Sequence, residues 1–247
     1  CGLNCDWNSA WMKTGLFEDV FVPPCTNDSG SAIGTAIDAQ FYYTGNAKID
    51  WTVYAGEAFV NDKAELGDFE VEDMTNENVA SFLKAGNVIG WVQGKYEIGP
   101  RALGNRSILA MPFTKEIHSK LNDIKKREGF RPIAPICLEE EMDRWFDHHG
   151  PSPYMLFFQK VKTDRLEAIT HVDGSARLQS VTKESNNEMY DLLKEFKKQT
   201  DFGILCNTSL NFNGTGFINR LSDLVKYTKE HGLDGFVVED KFYKLKR

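Results

Sequence analysis

Two arginines, Arg101 and Arg106, stand in the stretch "GKYEIGPRALGNRSILAMP" (residues 94–112), which is broken by Gly94, Gly99, Pro100 and Gly104. Glycine and proline make this a loop rather than a helix interior. Ile108, Leu109 and Met111, which follow at once, read as the start of a buried strand. A guanidinium beside a core is costly unless an anion pairs with it, and its planar fork suits carboxylate or phosphate. The chemistry to expect is therefore the binding of an anion, and possible stabilisation of charge that moves on it.

Three other segments have the same character. "KKREGFRPIAP" (125–135) carries Lys126, Arg127 and Arg131 ahead of an apolar run. "THVDGSARLQSV" (170–181) holds His171, Asp173 and Arg177 around an Asp-Gly turn signal. "ILCNTSLNFNG" (204–214) runs from an apolar strand into Asn207, Thr208, Ser209 and Asn211. Each has a plainer explanation. Paired arginines can form surface salt bridges, basic residues at a helix C-terminus meet the macrodipole, and short polar side chains cap and turn the chain. His171 can be a satisfied half-buried histidine, and Asp28 can cap a helix. No P-loop is present, and Gly99 and Gly104 do not form a dinucleotide fingerprint.

The elements that must position these loops follow from periodicity. A strand at 20–24 leads through an Asp/Ser/Gly turn into a helix with Ile33, Ala36, Ile37 and Phe41 on one face. A polar, acidic segment at 61–78 contains a domain boundary. Beyond it the pattern predicts helices carrying Val79, Phe82 and Leu83, then Ile117, Leu121 and Ile124, and further helices over 187–199 and 221–230. Strands are predicted at 87–93, 107–112, 133–138, 154–159, 168–172, 177–181, 202–206 and 234–238. Interleaved strands and helices, with several strands adjacent in sequence, argue for an α/β fold with a mixed sheet. Ligands of such sheets gather at strand ends, where the polar loops can converge.

The 247 residues are 41% hydrophobic and 26% charged, the makeup of a globular protein with one large or two modest domains. The net charge of −7 argues against broad electrostatic binding of nucleic acid. No apolar run is long enough to span a bilayer, and the five scattered cysteines suit reduced thiols, so a cytoplasmic enzyme is expected.

Taken together, "EIGPRALGNRSILAMP", "IKKREGFRPIAP", "SPYM", "ITHVDGSARLQSV" and "LCNTSLNFNG" resemble the O-carbamoyltransferases of nodulation-factor and antibiotic biosynthesis, in that family's order. The resemblance implies two units: 1–68, the end of an actin-like ATPase-type carbamoyl-transfer domain, and 69–247, a YrdC-like domain with a mixed twisted sheet and flanking helices. It implies that the second unit forms carbamoyl-adenylate from carbamoyl phosphate and ATP with Mg²⁺, for transfer to a hydroxyl of a sugar or natural product.

In that reading Arg101, Arg106, Arg131 and Arg177 are catalytic. Asn105, Ser107, Lys126, Arg127, His171, Asp173, Asn207, Thr208 and Ser209 bind substrate or nucleotide. Asp28 resembles the aspartate that joins two upstream histidines on iron or another divalent metal. No pair of histidines here has the H-x-x-x-H spacing, so the chain is expected to be the C-terminal part of a longer protein. Two departures stand out: Lys95 where the family's "GR-x-E" has arginine, and "GTGFI" where a Glu-Pro pair is commoner. Competing readings are a threonylcarbamoyl-adenylate synthase-like enzyme and a non-catalytic nucleotide- or RNA-binding module.

Overall fold

The computed structural model describes residues 1–246; Arg247, the last residue of the second expected unit, lies outside them. Helices α1 (Cys5–Lys13) and α2 (Asp28–Thr44) come first. They are followed by β1 (Phe69–Asp73), α3 (Asn76–Lys84), β2 (Ile89–Val92), β3 (Arg106–Ala110), α4 (Lys115–Ile124), β4 (Ala134–Leu138), α5 (Met142–Trp145), β5 (Phe146–Asp147) and β6 (Gln159–Val161). The chain ends with β7 (Ser175–Ala176), β8 (Gln179–Val181), α6 (Asn187–Thr200), β9 (Ile204–Ser209), α7 (Leu221–His231), β10 (Gly235–Val238) and β11 (Lys241–Leu245).

Eight strands form one mixed sheet in the order β1-β11-β10-β2-β3-β9-β4-β8, and β5, β6 and β7 make a small antiparallel sheet. Within the large sheet, β10 runs parallel to β2 and β4 parallel to β8, while the other neighbours are antiparallel. Strand alternation sends Ile108, Ala110, Ile204 and Cys206 to one face, where Ile117, Leu121 and Ile124 of α4 and Leu224 and Tyr227 of α7 cover them. Leu109 and Leu205 face the other way, against Val79 and Leu83 of α3 and Met189, Leu193 and Phe196 of α6. The expected α/β fold, YrdC-like with a mixed sheet and helices on it, is the one observed.

Where prediction and structure part, local chemistry explains it. Residues 20–24 form no strand, since Pro23 and Pro24 have no N–H for a ladder. The predicted strand at 154–159 survives only as Gln159–Val161, because Met155 takes a left-handed turn (φ +56°), and 168–172 is a turn. Phe69–Asp73, inside the segment read as a boundary, is an edge strand whose charges pair across to β11: Glu72 with Lys244 at 2.7 Å and Asp73 with Lys241 at 2.6 Å. Asp28 is the first residue of α2 and Asn27 holds the cap position, so Asp28 is not the cap.

Residues 53–60 are tied to the arginine loop. Ile98 N–H donates to the Val53 carbonyl at 2.7 Å, Gly56 N–H to Tyr96 O at 3.0 Å, and the Tyr54 hydroxyl to Leu103 O at 2.7 Å. Helix α1 docks through Asn8, which donates to Leu156 O, and Ser9, whose hydroxyl accepts from Phe158 N–H.

Candidate functional site

The arginine loop is folded around a carboxylate that sequence reasoning passed over. Glu97 is 1% exposed, and its Oε1 accepts three backbone N–H groups, from Leu103 (2.6 Å), Asn105 (2.7 Å) and Arg106 (3.2 Å). Gly99 (φ +113°) and Gly104 (φ +110°) supply backbone conformations that side chains rarely adopt. A Cβ on Gly104 would also sit 3.2 Å from Asn186. Burial pushes the Glu97 carboxyl upward, while the three donors oppose that shift.

The loop treats its two arginines differently. Arg106 is wholly buried as the first residue of β3, and all five of its N–H donors are used inside the protein. Nη1 donates to Gln93 O (2.9 Å) and Asn105 O (2.8 Å), Nη2 to Gly94 O (2.9 Å) and Asn219 Oδ1 (2.8 Å), and Nε to Asn219 Oδ1 (3.2 Å). Phe59 lies under the guanidinium carbon at 5.5 Å. No donor remains for an anion. Arg101 is half-buried, its Nε is buried without a partner, and among the described residues it makes no ion pair.

Arg177 is the counterpart of Arg101. Its Nε is also buried and unpartnered, and Cys5, brought in by α1, lies close enough to act on its charge. Burial first, and then the neighbouring charge of Arg101, pull the Arg177 pKa down to about 10, with Arg127 adding to the effect. The group therefore stays cationic at neutral pH. Arg127 itself is lowered by burial and by Arg131, and its Nε donates to Asn122 Oδ1 at 2.6 Å. The charges of Arg101 and Arg127 thus both act on Arg177, with no carboxylate bonded to Arg101 or Arg177 among the described residues, an arrangement that an anion would relieve.

The polar strand ends meet the same region. Asn207, 1% exposed, donates through Nδ2 to Ala102 O (3.1 Å), next in the chain to Arg101, and to Gln179 Oε1 (3.0 Å). Its Oδ1 has no partner, and neither does Oγ of Ser107. Asn105 accepts from Asn186 at 2.9 Å and donates to Lys95 O at 2.9 Å, so its side chain braces the loop. Lys95 is used here through its backbone.

His171 lies against Ser175 and Asp173. Its Nδ1 is 3.1 Å from Ser175 Oγ, which donates to Asp173 Oδ1 at 2.7 Å. These hydrogen bonds hold Asp173 below the ordinary carboxylate range, and burial lowers His171. The two residues, with His118, Phe130 and Phe158, line a cleft of about 580 Å³.

The remaining candidates carry no buried atom without a partner among the described residues. Lys126 is exposed, with a left-handed backbone (φ +48°), and Arg131 is exposed and paired with Glu128 at 2.8 Å. Thr208 is half-buried opposite Ile108 in the sheet.

Sequence reasoning missed Lys125, which is 5% exposed. Its ammonium donates to Ser209 O (2.7 Å) and to Asn211 Oδ1 (2.6 Å), while Ser209 Oγ donates to that same Oδ1 at 2.8 Å. Burial and the charge of Arg127 bring its pKa from 10.5 down to about 8. Between those two values the unfolded chain binds more protons than the folded one, so this group makes stability rise with pH. Melting temperatures of the native chain and of Lys125→Met, taken from about pH 7.5 to about pH 9.5, should show a gain in the native chain that the variant lacks. Equal slopes would mean that Lys125 does not titrate there.

Asp28 lies on a second cleft, of about 740 Å³, lined by Phe21, Cys25, Asn27, Ile33, Ile37 and Trp51 among others. Among the described residues no group of three or more His, Cys, Asp or Glu side chains is placed to hold a metal ion. Asp28 does not form a metal centre with the described residues around it.

The comparisons agree with the loops. Residues 80–244 match the family model described as Carbamoyltransferase C-terminus, and residues 1–37 match Carbamoyltransferase N-terminus. The chain belongs to the carbamoyltransferase family. It is 51% identical to the 3'-hydroxymethylcephem-O-carbamoyltransferase of Amycolatopsis lactamdurans, over 98% of this chain and 47% of that protein. It is 44% identical to Nodulation protein U of Sinorhizobium fredii, over 88% of this chain and 39% of the relative. This carbamoyltransferase-family chain thus spans about half or less of the length of those relatives. A likeness in fold alone links it to full-length HypF in its phosphate- and nucleotide-bound form, with TM-score 0.50 and 18% identity over 70% of this chain and 26% of that one.

Proposed function

We propose that this chain is the carbamoyl-activating part of an O-carbamoyltransferase. It takes carbamoyl phosphate and ATP to carbamoyl-adenylate, whose carbamoyl group then passes to a hydroxyl of a sugar or natural product. The observation that carries this reading is the pair of buried Nε donors without partners on Arg101 and Arg177. Buried polar groups are nearly always paired, so two unpartnered guanidinium donors whose charges act on each other support a site for a polar anion. Family membership supports carbamoyl phosphate as that anion.

For the atoms to balance, water cleaves carbamoyl phosphate to carbamate and phosphate. A carbamate oxygen then bonds to the α-phosphorus of ATP as the bond to pyrophosphate breaks. Arg101 and Arg177 hold the phosphoryl oxygens and stabilise charge as it moves onto the leaving group, with Arg127 and Arg131 at the margin. Ser209, fixed by Lys125 and Asn211, and Thr208 line the strand end. Arg106 acts from behind, by shaping the loop. Mg²⁺ would travel on the triphosphate, and no step is assigned to it.

Asp28 would complete an iron or other divalent metal site only with ligands from a longer chain, where the hydroxyl acceptor would also bind. Among the described residues no helix is long and apolar enough to cross a membrane. ATP and carbamoyl phosphate as substrates support a cytoplasmic enzyme.

Incubating the chain with ATP, Mg²⁺ and carbamoyl phosphate should release pyrophosphate only when carbamoyl phosphate is present. Pyrophosphate release that ignores carbamoyl phosphate, or none at all, would remove the activating role.

A further inference from the structure

The orphaned atoms in the site are not all donors. Asn207 is 1% exposed and its amide can point only one way. Gln179, also 1% exposed, donates through Nε2 to Leu103 O at 2.8 Å, which leaves its Oε1 as an acceptor. The Asn207 group facing Gln179 Oε1 and Ala102 O must therefore be the NH₂, because an oxygen there would oppose two acceptors. Oδ1 is left buried, without a partner, and unable to donate.

His171 follows the same logic. Asp173 is an ionised carboxylate and accepts from Ser175 Oγ at 2.7 Å, so the hydroxyl proton is committed to it. Ser175 Oγ can then only accept from His171, and the imidazole proton sits on Nδ1. Nε2 is a lone pair, also buried and without a partner.

An acceptor repels an anion and needs an N–H or O–H donor opposite it. Asn207 donates to the carbonyl of Ala102, the residue after Arg101, so its unpartnered oxygen stands beside the arginine loop, while His171 lines the neighbouring cleft. We infer that Asn207 Oδ1 reads the amino group of carbamoyl phosphate and so selects it over acetyl phosphate.

The inference rests on the carbamoyl-activating reading and adds the residue that sets donor specificity. Acetyl phosphate carries the same phosphoryl group but places a methyl against the buried acceptor, which then stays unpaired. A site built to hydrogen-bond a substrate group discriminates strongly against the analogue lacking it.

Calorimetric titration of the whole chain with carbamoyl phosphate, acetyl phosphate and inorganic phosphate provides the test. The native chain should bind carbamoyl phosphate about 10- to 100-fold more tightly than acetyl phosphate. Asn207→Leu, checked by melting temperature, should bind carbamoyl phosphate and acetyl phosphate alike.

Equal binding of the two acyl phosphates by the native chain overturns the inference and leaves the anion site standing, even if the variant does not fold. A folded variant that keeps the full preference also overturns it. Failure of the native chain to bind any of the three would sink the activating role together with the inference.

Discussion

Arg177→Gln is expected to cut pyrophosphate release by about 10²–10³-fold and, on the same preparation, to raise the melting temperature. Both signs come from one arrangement. Arg177 is pressed by the charges of Arg101 and Arg127, is largely desolvated, and has no carboxylate partner among the described residues, so it lowers the stability of the unliganded fold. Removing the charge relieves that repulsion and also removes a donor to the phosphoryl group. Arg101→Gln should move both measurements in the same directions. If Arg177 were a structural ion-pair residue, the pattern would reverse: melting temperature would fall first, with activity following only the fraction folded.

The opposite behaviour is expected of Arg106. Arg106→Met strips the partners from the carbonyls of Gln93 and Asn105, which are buried, and from Gly94 and the half-buried Asn219. It also removes the cation whose field acts with the buried Glu97. Losing one side of a buried charged network costs about 3–5 kcal/mol, which in a chain of this size is ~10 °C of melting temperature. Arg106→Lys keeps the charge but cannot span four acceptors, so it should fall between the two. Thermal unfolding of the three proteins gives the ranking. A melting temperature for Arg106→Met within ~2 °C of the native value would show that the network contributes little.

The contrast between these arginines was half legible in the sequence. Glycine and proline spacing places both in a loop at a strand's mouth, and that is where they are. Their different fates depend on where the strand begins. Arg106 is the first residue of β3, all of whose residues are buried, whereas Arg101 stays in the loop before it.

Lys125 was legible in the same way. It lies four residues after Leu121 on the buried face of α4, whereas its neighbour Lys126 turns out to solvent. Glu97 gave no local sign, because its partners are backbone N–H groups whose convergence depends on positive φ at Gly99 and Gly104. The core strands were readable as short apolar runs such as Ile108/Leu109, buried on both faces, and the amphipathic helices because Leu192, Leu193 and Phe196 recur at the helical period. The short strands β5, β6 and β7 were not, since two or three residues carry no period.

The central claim is that Arg101 and Arg177 form the phosphoryl end of the carbamoyl phosphate site. A crystal structure of the chain soaked with carbamoyl phosphate tests it most directly. The predicted result is a phosphoryl group in contact with both guanidinium groups, with the Arg106 hydrogen bonds unchanged. A phosphoryl group bound instead at Arg131 and Lys126, away from Arg101 and Arg177, would contradict the account.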